Sequence, residues 1–232
     1  MERYIRNEKM LTHEENLSLA DRKICVVGCG GLGGYLIEMS ARLGIGEITV
    51  VDGDVFELSN LNRQLLSDEE VLGRSKSEIA AIRVKKVNSL VTVNIVRERL
   101  TEENAHEISR DHDLILDGLD NIASRMILQN TAEELGIPLV HGAISGWYGQ
   151  VTTIFPGDRS FDIIYPALDG KNDEAGIDSI NEMGNPSFTP ALVASIQIAE
   201  ALKVLLGKGD ILRHKLLYID TLNHEYNVLN IR

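Results

Sequence analysis

Cysteine is nearly absent: the chain has two, Cys25 and Cys29. Their spacing makes no disulfide framework, and no C-x-x-C pair exists to hold zinc. Long apolar runs are also missing, and none is read as reaching the length of a membrane span. The start, MERYIRNEKML, lacks the apolar centre of a secretory signal. The expectation is a cytoplasmic protein with no membrane contact. Positive charge is short too: 23 Lys and Arg stand against 35 Asp and Glu, a formal net charge of −12. A broad nucleic-acid surface is excluded, because phosphate backbones require clustered cations. A local basic pocket inside an acidic surface stays open to an anionic ligand.

What remains is an ordinary globular composition, 44% hydrophobic and 25% charged over 232 residues. That length suits a single α/β domain. KICVV (23–27) reads as a buried parallel strand, followed by a helix with Leu36, Met39 and Leu43 at helical spacing and Gly44 as its stop. EITVVD (47–52) is the next strand. A helix over 75–88 capped by Ser75, a strand over 93–99 and a helix opened by Thr101 and Asn104 follow. Then come a strand ending in the turn at 113–121, a helix closing at Gly136 and the strand IPLVHGAI. This alternation predicts a Rossmann-like, doubly wound, mostly parallel sheet. Residues 1–20 form an N-terminal arm, and 157–190 have little periodicity and read as a long connection or lid. An amphipathic helix over 190–207 and a final antiparallel hairpin in LLYIDTLNHEYNVLNI complete the chain. There is no internal repeat or low-complexity tract.

The chemistry starts at VVGCGGLGGYLIE (26–38), where Gly28, Gly30 and Gly33 fit G-x-G-x-x-G between a strand and a helix. Such glycines let the backbone approach a phosphate at a helix N-terminus. Asp52 closes the second strand, where a carboxylate can accept from ribose hydroxyls. To this point an NAD site and an ATP site look alike. The stretch VVDGDVFELSNLNRQLL separates them, because a plain NAD site has no use for it. Ser59, Asn60 and Arg63 fall over the same crevice, Arg63 offering a planar fork for phosphate oxygens. Lys76 follows in the first turn of a helix. In DLILDGLDN, Asp117 ends a strand and Asp120 and Asn121 occupy the turn. A carboxylate at that rim suits Mg²⁺ bound largely through water and phosphate, and Asp120 equally suits a helix cap.

Together GCGGLGG, VVDGDVFELSNLNRQ, GRSKSE, LDGLDN and HGAISGWYGQVTTIFPG, in this order, resemble the HesA/MoeB/ThiF family, which activates ubiquitin-like proteins. The resemblance runs from about residue 3 to the C-terminus and implies one adenylation domain over residues 1–232. It implies ATP and Mg²⁺ as cofactors, a homodimer, and adenylation of the C-terminal carboxylate of a small sulfur-carrier protein ending in Gly-Gly. Gly31 and Asp52 would contact the nucleotide. Ser59, Asn60, Leu61, Asn62, Arg63 and Lys76 would line the phosphates, with Asp120 on the metal and Asn121 beside it. RYIRN matches the family's N-terminal pattern except at Asn7, and would send Arg6 to the partner subunit's ATP.

Departures from the family sharpen the expectation. Many members bind zinc through two C-x-x-C pairs, and neither is present, so no zinc is expected and 157–190 must be held otherwise. Some carry a catalytic cysteine in that segment, which here has none, so adenylation is expected without an enzyme-bound thioester. Cys25 reads as core packing and Cys29 as a small residue of the turn. His141 reads as a hydrogen-bonded histidine at a strand end, while Trp147 and Tyr148 fit either a partner surface or a core. The rival readings are adenylation of a small-molecule or peptide carboxylate, an NAD-dependent oxidoreductase, and an inactive scaffold.

Overall fold

The structure, a computed structural model, describes residues 2–166 and 183–231. Its frame is one eight-stranded sheet in the order β3-β2-β1-β4-β5-β6-β7-β8. The parallel part comprises β1 (Lys23–Val27), β2 (Glu47–Val51), β3 (Thr92–Val96), β4 (Leu114–Asp117) and β5 (Leu139–Ser145). The antiparallel part continues through β6 (Tyr148–Ile154), β7 (Lys215–Asp220) and β8 (Glu225–Asn230).

β1 is apolar without alternation because both its faces are covered. After a short α1 (His13–Ser18), Ile24 and Val26 join one core with α2 (Gly31–Leu43), α3 (Lys76–Val87) and α7 (Phe188–Leu206). Cys25 and Val27 join a second core with α4 (Glu102–Ser109), α5 (Ile122–Leu135) and α6 (Ser160–Ile164). Each fully buried Ile or Leu contributes about 1.5–3 kcal/mol, so these two layers fix the strand order. Chain reversals follow the sequence signals: Gly44 and Gly136 cap α2 and α5 in the left-handed conformation, and the Ser75 hydroxyl accepts from Glu78 N at the start of α3. At α4 the Asn104 side chain accepts from Thr101 N at 2.8 Å.

The strand order reverses between β1 and β4, which pair parallel, so the crossovers leave to opposite sides. Ligands of open α/β sheets bind in the crevice at such a switch point. Two glycines keep it open. Gly28 has φ of +93°, and a Cβ there would lie 2.5 Å from the Gly118 carbonyl oxygen. At Gly33 a Cβ would fall 1.8 Å from the Gly28 oxygen, so the helix can sit this close to the turn only with glycine.

Three expectations need correcting. β6 was not read as a strand. The 157–190 segment is not wholly irregular among the described residues: α6 lies within it, and α7 starts at Phe188, before Pro190. Proline is tolerated there because it falls in the first helical turn. Residues 167–182 of the expected lid lie outside the described residues. The third correction is that α7 does have the length and apolarity of a membrane span, at 19 residues and mean hydropathy 1.4. Here Val193, Ala194 and Ile198 instead pack in the core. The start of the crossover is held by side chains: Gln129 accepts from Phe161 N at 2.7 Å, and Arg159 pairs with Asp162 at 2.9 Å and Glu133 at 3.0 Å.

A short 3₁₀ helix, Glu2–Asn7, forms most of the described arm's first turns. Tyr4 covers Gly44 and accepts from Asn88 Nδ2 at 2.7 Å, and Arg3 also bonds Asn88. Gly44 follows the far end of α2, so the arm packs at the opposite end of the strands from the glycine turn. Arg6 is exposed there and does not line its own chain's crevice.

Candidate active site

A cavity of about 950 Å³ opens at the carboxyl ends of β1, β2 and β4. That is at the upper end of ligand-site volumes, roughly 300–1,000 Å³, with room for a nucleotide and part of a second substrate. Gly28, Gly30, Gly31, Asp52, Arg63, Lys76, Asp120 and Asn121 all line it. Residues separated by up to 93 positions (28 to 121) are thus brought to one wall by the switch point.

Asp52 is both a wall and a brace. Its carboxylate accepts from Cys29 N at 2.7 Å and from Asp54 N at 2.8 Å, which fixes the glycine turn to the end of β2. Burial pushes its pKa above the usual carboxylate range, against the opposing pull of those two N–H groups and of Lys76. Lys76 is nearly buried, with Nζ 3.6 Å from Asp54 Oδ2. Asp54 also takes Arg99, at 2.8 Å from Nη2 and 3.2 Å from Nε. Arg99, ahead of Lys76, holds the Asp54 carboxyl below its usual range. Asp54, Arg99 and Gln64 line the cavity and were not singled out from the sequence. The one sequence signal for Asp54 was the repeated acid in VVDGD; the 45-residue gap to Arg99 carried none.

The residues of the SNLNRQ stretch divide between the cavity wall and the loop that carries it. Only Arg63 and Gln64 of it reach the cavity wall. Asn60 is buried, and its Oδ1 accepts from Glu57 N at 3.0 Å, closing a short 3₁₀ turn, Leu58–Asn60. The Ser59 carbonyl and Asn62 Oδ1 accept from Arg63 Nη1 at 3.0 and 2.9 Å. Asn62 Nδ2 donates to the Asn185 carbonyl at 3.0 Å. Ser59, Asn60 and Asn62 therefore build and aim the loop, Leu61 continues it, and Arg63 faces the cavity. Gly33 likewise does not line the cavity; it packs against the Gly28 carbonyl, 1.8 Å from where a Cβ would fall.

Asp120 is exposed on the turn after β4, touched by Asn121 Nδ2 at 3.4 Å. The cap expected of Asp120 is made by Asn121, whose Oδ1 accepts from Ser124 N at 2.9 Å. Asp120 is thereby left to face the cavity. Among the described residues no group of three or more His, Cys, Asp or Glu side chains could hold a metal by itself. A single carboxylate beside a phosphate site still fits Mg²⁺, which keeps most of its waters and shares its ligands with substrate phosphates.

Both cysteines are buried. Burial pushes Cys25 up to about 12, and burial followed by the Asp52 charge pushes Cys29 well above its usual value. Neither supplies a thiolate at neutral pH. His141 is fully buried with Nδ1 2.6 Å from Asp117 Oδ2, the hydrogen-bonded reading of the sequence. The two aromatics divide. Trp147 is half exposed and packs on Phe188 with ring centroids 4.9 Å apart. Tyr148 stacks on Tyr218 at 6.1 Å in the cavity wall.

Known proteins are similar to this chain in sequence and fold. The chain is 35% identical over 214 residues to the SAMP-activating enzyme E1 of Haloferax volcanii, covering 92% of the chain and 78% of that protein. It is 39% identical over 212 residues to the sulfur carrier protein adenylyltransferase of Thermus thermophilus, covering 90% and 78%. Against the probable adenylyltransferase/sulfurtransferase MoeZ of Mycobacterium tuberculosis identity is 34%, and the chain spans 55% of that longer relative. Among solved structures, E. coli MccB with MccA-N7isoASN has a TM-score of 0.82 at 21% identity, covering 94% of this chain and 66% of that one, which shows the shared fold. The ThiF family model matches residues 3–232, and the chain belongs to the ThiF family.

Proposed function

We propose that this chain uses ATP and Mg²⁺ to adenylate the C-terminal carboxylate of a small ubiquitin-like sulfur-carrier protein, releasing pyrophosphate. The observation that carries this reading is the convergence of Arg63, Lys76 and Asp120 on the cavity that Asp52 and the glycine turn also line. An NAD site leaves those three unexplained. The relatives named for adenylating or activating sulfur carriers and SAMPs support the choice of substrate.

A peptide carboxylate has a pKa near 3.5 and is ionised at pH 7, so its attack on the α-phosphorus needs no general base. A carboxylate oxygen bonds to the α-phosphorus, the bond to the bridging oxygen breaks, and pyrophosphate leaves with that electron pair. The demand on the protein is to bring anions together and to stabilise the leaving charge. Asp52 would take the ribose hydroxyls, and Arg63 and Lys76 the phosphates. Asp120 would hold Mg²⁺, which would neutralise charge on the phosphates. A Gly-Gly tail suits the remaining cavity between Tyr148 and Gln150, because it lies extended without side chains.

Arg6 completes the site only from a second copy. We read the active form as a homodimer in which the partner subunit's Arg6 reaches the phosphates. Mixing Arg6→Ala with Arg63→Ala, each inactive alone, should restore activity to about a quarter of the wild-type sites by random exchange of subunits, since each heterodimer then holds one intact site. Full activity in Arg6→Ala alone would place Arg6 outside the site, and no recovery on mixing would contradict its reaching across to the partner.

Asp52 gives the reading a pH signature. Its raised pKa means that it takes a proton above the ordinary Asp value of 3.8. An ionised carboxylate accepts from ribose, so ATP affinity should weaken on acidification earlier than an unperturbed Asp would allow, and Asp52→Asn should flatten that limb. Stability has the opposite sign: a raised folded-state pKa contributes below the unfolded value and is lost as pH rises through the folded one. An unchanged acid limb in Asp52→Asn would remove Asp52 from nucleotide binding.

The general test offers the enzyme Mg·ATP and a panel of acids and follows pyrophosphate. Release with a Gly-Gly-tailed carrier supports the proposal. Release only with metabolite acids or free peptides would move the function to another carboxylate.

A further inference from the structure

We infer that Tyr165 is a positioning residue for the turn that carries Asp120, because its hydroxyl closes a ring of hydrogen bonds that grips Leu119 from both sides. The role assigned to Asp120 rests on the adenylation reading; the ring itself does not.

The ring can be followed atom by atom. Leu119 N donates to Asp117 Oδ1 at 2.8 Å. Asp117 Oδ2 lies 2.6 Å from His141 Nδ1, and His141 Nε2 lies 3.1 Å from the Tyr165 hydroxyl. Arg125 Nη1 donates to that hydroxyl at 3.2 Å, and Arg125 Nη2 donates to the Leu119 carbonyl at 2.6 Å. Burial holds His141 below its usual range, so its ring is neutral at pH 7. With the Nδ1 proton given to Asp117, Nε2 is an acceptor and takes the phenolic proton. The phenolic oxygen is then free to accept from Arg125 and from Gln150 Nε2, the latter at 2.7 Å.

A second contact runs beside the ring: Gln150 Nε2 also lies 3.3 Å from His141 Nε2, longer than its 2.7 Å bond to the phenol. Asp117 and His141 are fully buried and Arg125 nearly so. Arg125 Nε forms an ion pair with Asp117 Oδ2 at 3.4 Å but has no hydrogen-bond partner among the described residues, so the guanidinium is held mainly through its two Nη groups. Removing the phenol oxygen takes a partner from Arg125 Nη1 and leaves His141 Nε2 with the longer 3.3 Å approach of Gln150 Nε2, and buried hydrogen bonds are the costliest to lose. The aromatic ring would stay: it packs on Phe161 at 5.6 Å and under Arg125 at 5.7 Å. Asp120 follows Leu119 directly, and among the described residues its side chain has no hydrogen-bond partner but the neighbouring Asn121. Its position is therefore set by the backbone that the ring grips. Errors near 1 Å in such a group can cost about a hundredfold in rate.

The test is Tyr165→Phe in the full chain. Amide hydrogen exchange over residues 118–121 should quicken about tenfold, with α5 and β1 unchanged. The Mg²⁺ concentration for half-maximal pyrophosphate release should rise about tenfold, more than the KM for the carrier. Arg125→Lys, whose single amine cannot span Leu119 and Tyr165 together, should give the same exchange pattern and serves if Tyr165→Phe misfolds. Gln150→Leu loses a bond to the same oxygen but leaves the ring closed, so exchange at 118–121 should match wild type. Unchanged exchange in Tyr165→Phe, or equal loosening in Gln150→Leu, would overturn the inference. Wild-type protein that fails to bind Mg·ATP would defeat the adenylation reading while leaving the exchange result to decide the ring.

Discussion

Asp120→Ala should yield a folded protein whose carrier-dependent pyrophosphate release falls at least about a hundredfold. The fold should survive because the Asp120 side chain is exposed and Asn121, not Asp120, caps α5. The rate should fall because the other described carboxylates of the cavity wall are already engaged, Glu98 by Asn104 Nδ2 at 3.1 Å. Asp52 is committed to Cys29 N and Asp54 N, and Asp54 to Lys76 and Arg99. Asp117 is closed off beneath the turn by His141. Raising Mg²⁺ should recover only part of the loss. Thermal melting and pyrophosphate release, measured side by side, check both halves. Full activity in Asp120→Ala would show that the metal carboxylate is misassigned.

Arg63→Ala should match that loss while also leaving the fold intact. Arg63 gives its hydrogen bonds to its own loop, to the Ser59 carbonyl and Asn62, and no buried acceptor depends on it. Asn60 and its link to Glu57 hold the loop without it. A lysine should not restore the rate, because one ammonium cannot be braced by Ser59 and Asn62 and still present a fork to phosphate oxygens. Kinetics on Arg63→Ala and Arg63→Lys with varied ATP decide this. Wild-type kcat/KM for ATP in either would remove Arg63 from the phosphate site.

The parallel core was legible because its signals are local. KICVV and EITVVD are short apolar runs between a glycine turn and a helix, and a strand buried on both faces leaves that mark. The glycine spacing, Asp52, Lys76 and Asp120 were legible for the same reason: each sits at the tip of a readable strand or the start of a readable helix. β6 was not. GQVTTI is polar at Gln150, Thr152 and Thr153, and its identity as a strand depends on pairing with β5 and β7. The long-range partners were illegible in principle. Arg99 meets Asp54 across 45 residues, and Tyr165 meets Arg125 across 40 and His141 across 24. SNLNRQ was read as a row of phosphate contacts because a motif shows which residues matter together without showing which way each one points. The structure turns Asn60 inward and Arg63 toward the cavity, so much of the stretch serves to aim one guanidinium.

The account's central claim is that a bond forms between a carrier's C-terminal carboxylate and the α-phosphorus of ATP. Intact-mass measurement of a Gly-Gly-tailed carrier, after incubation with the enzyme and Mg·ATP, observes that bond directly. The expected result is a carrier heavier by one AMP moiety, formed in step with pyrophosphate and absent when the tail's last glycine is removed. A carrier of unchanged mass, with the enzyme binding NADH and not Mg·ATP, would contradict the account.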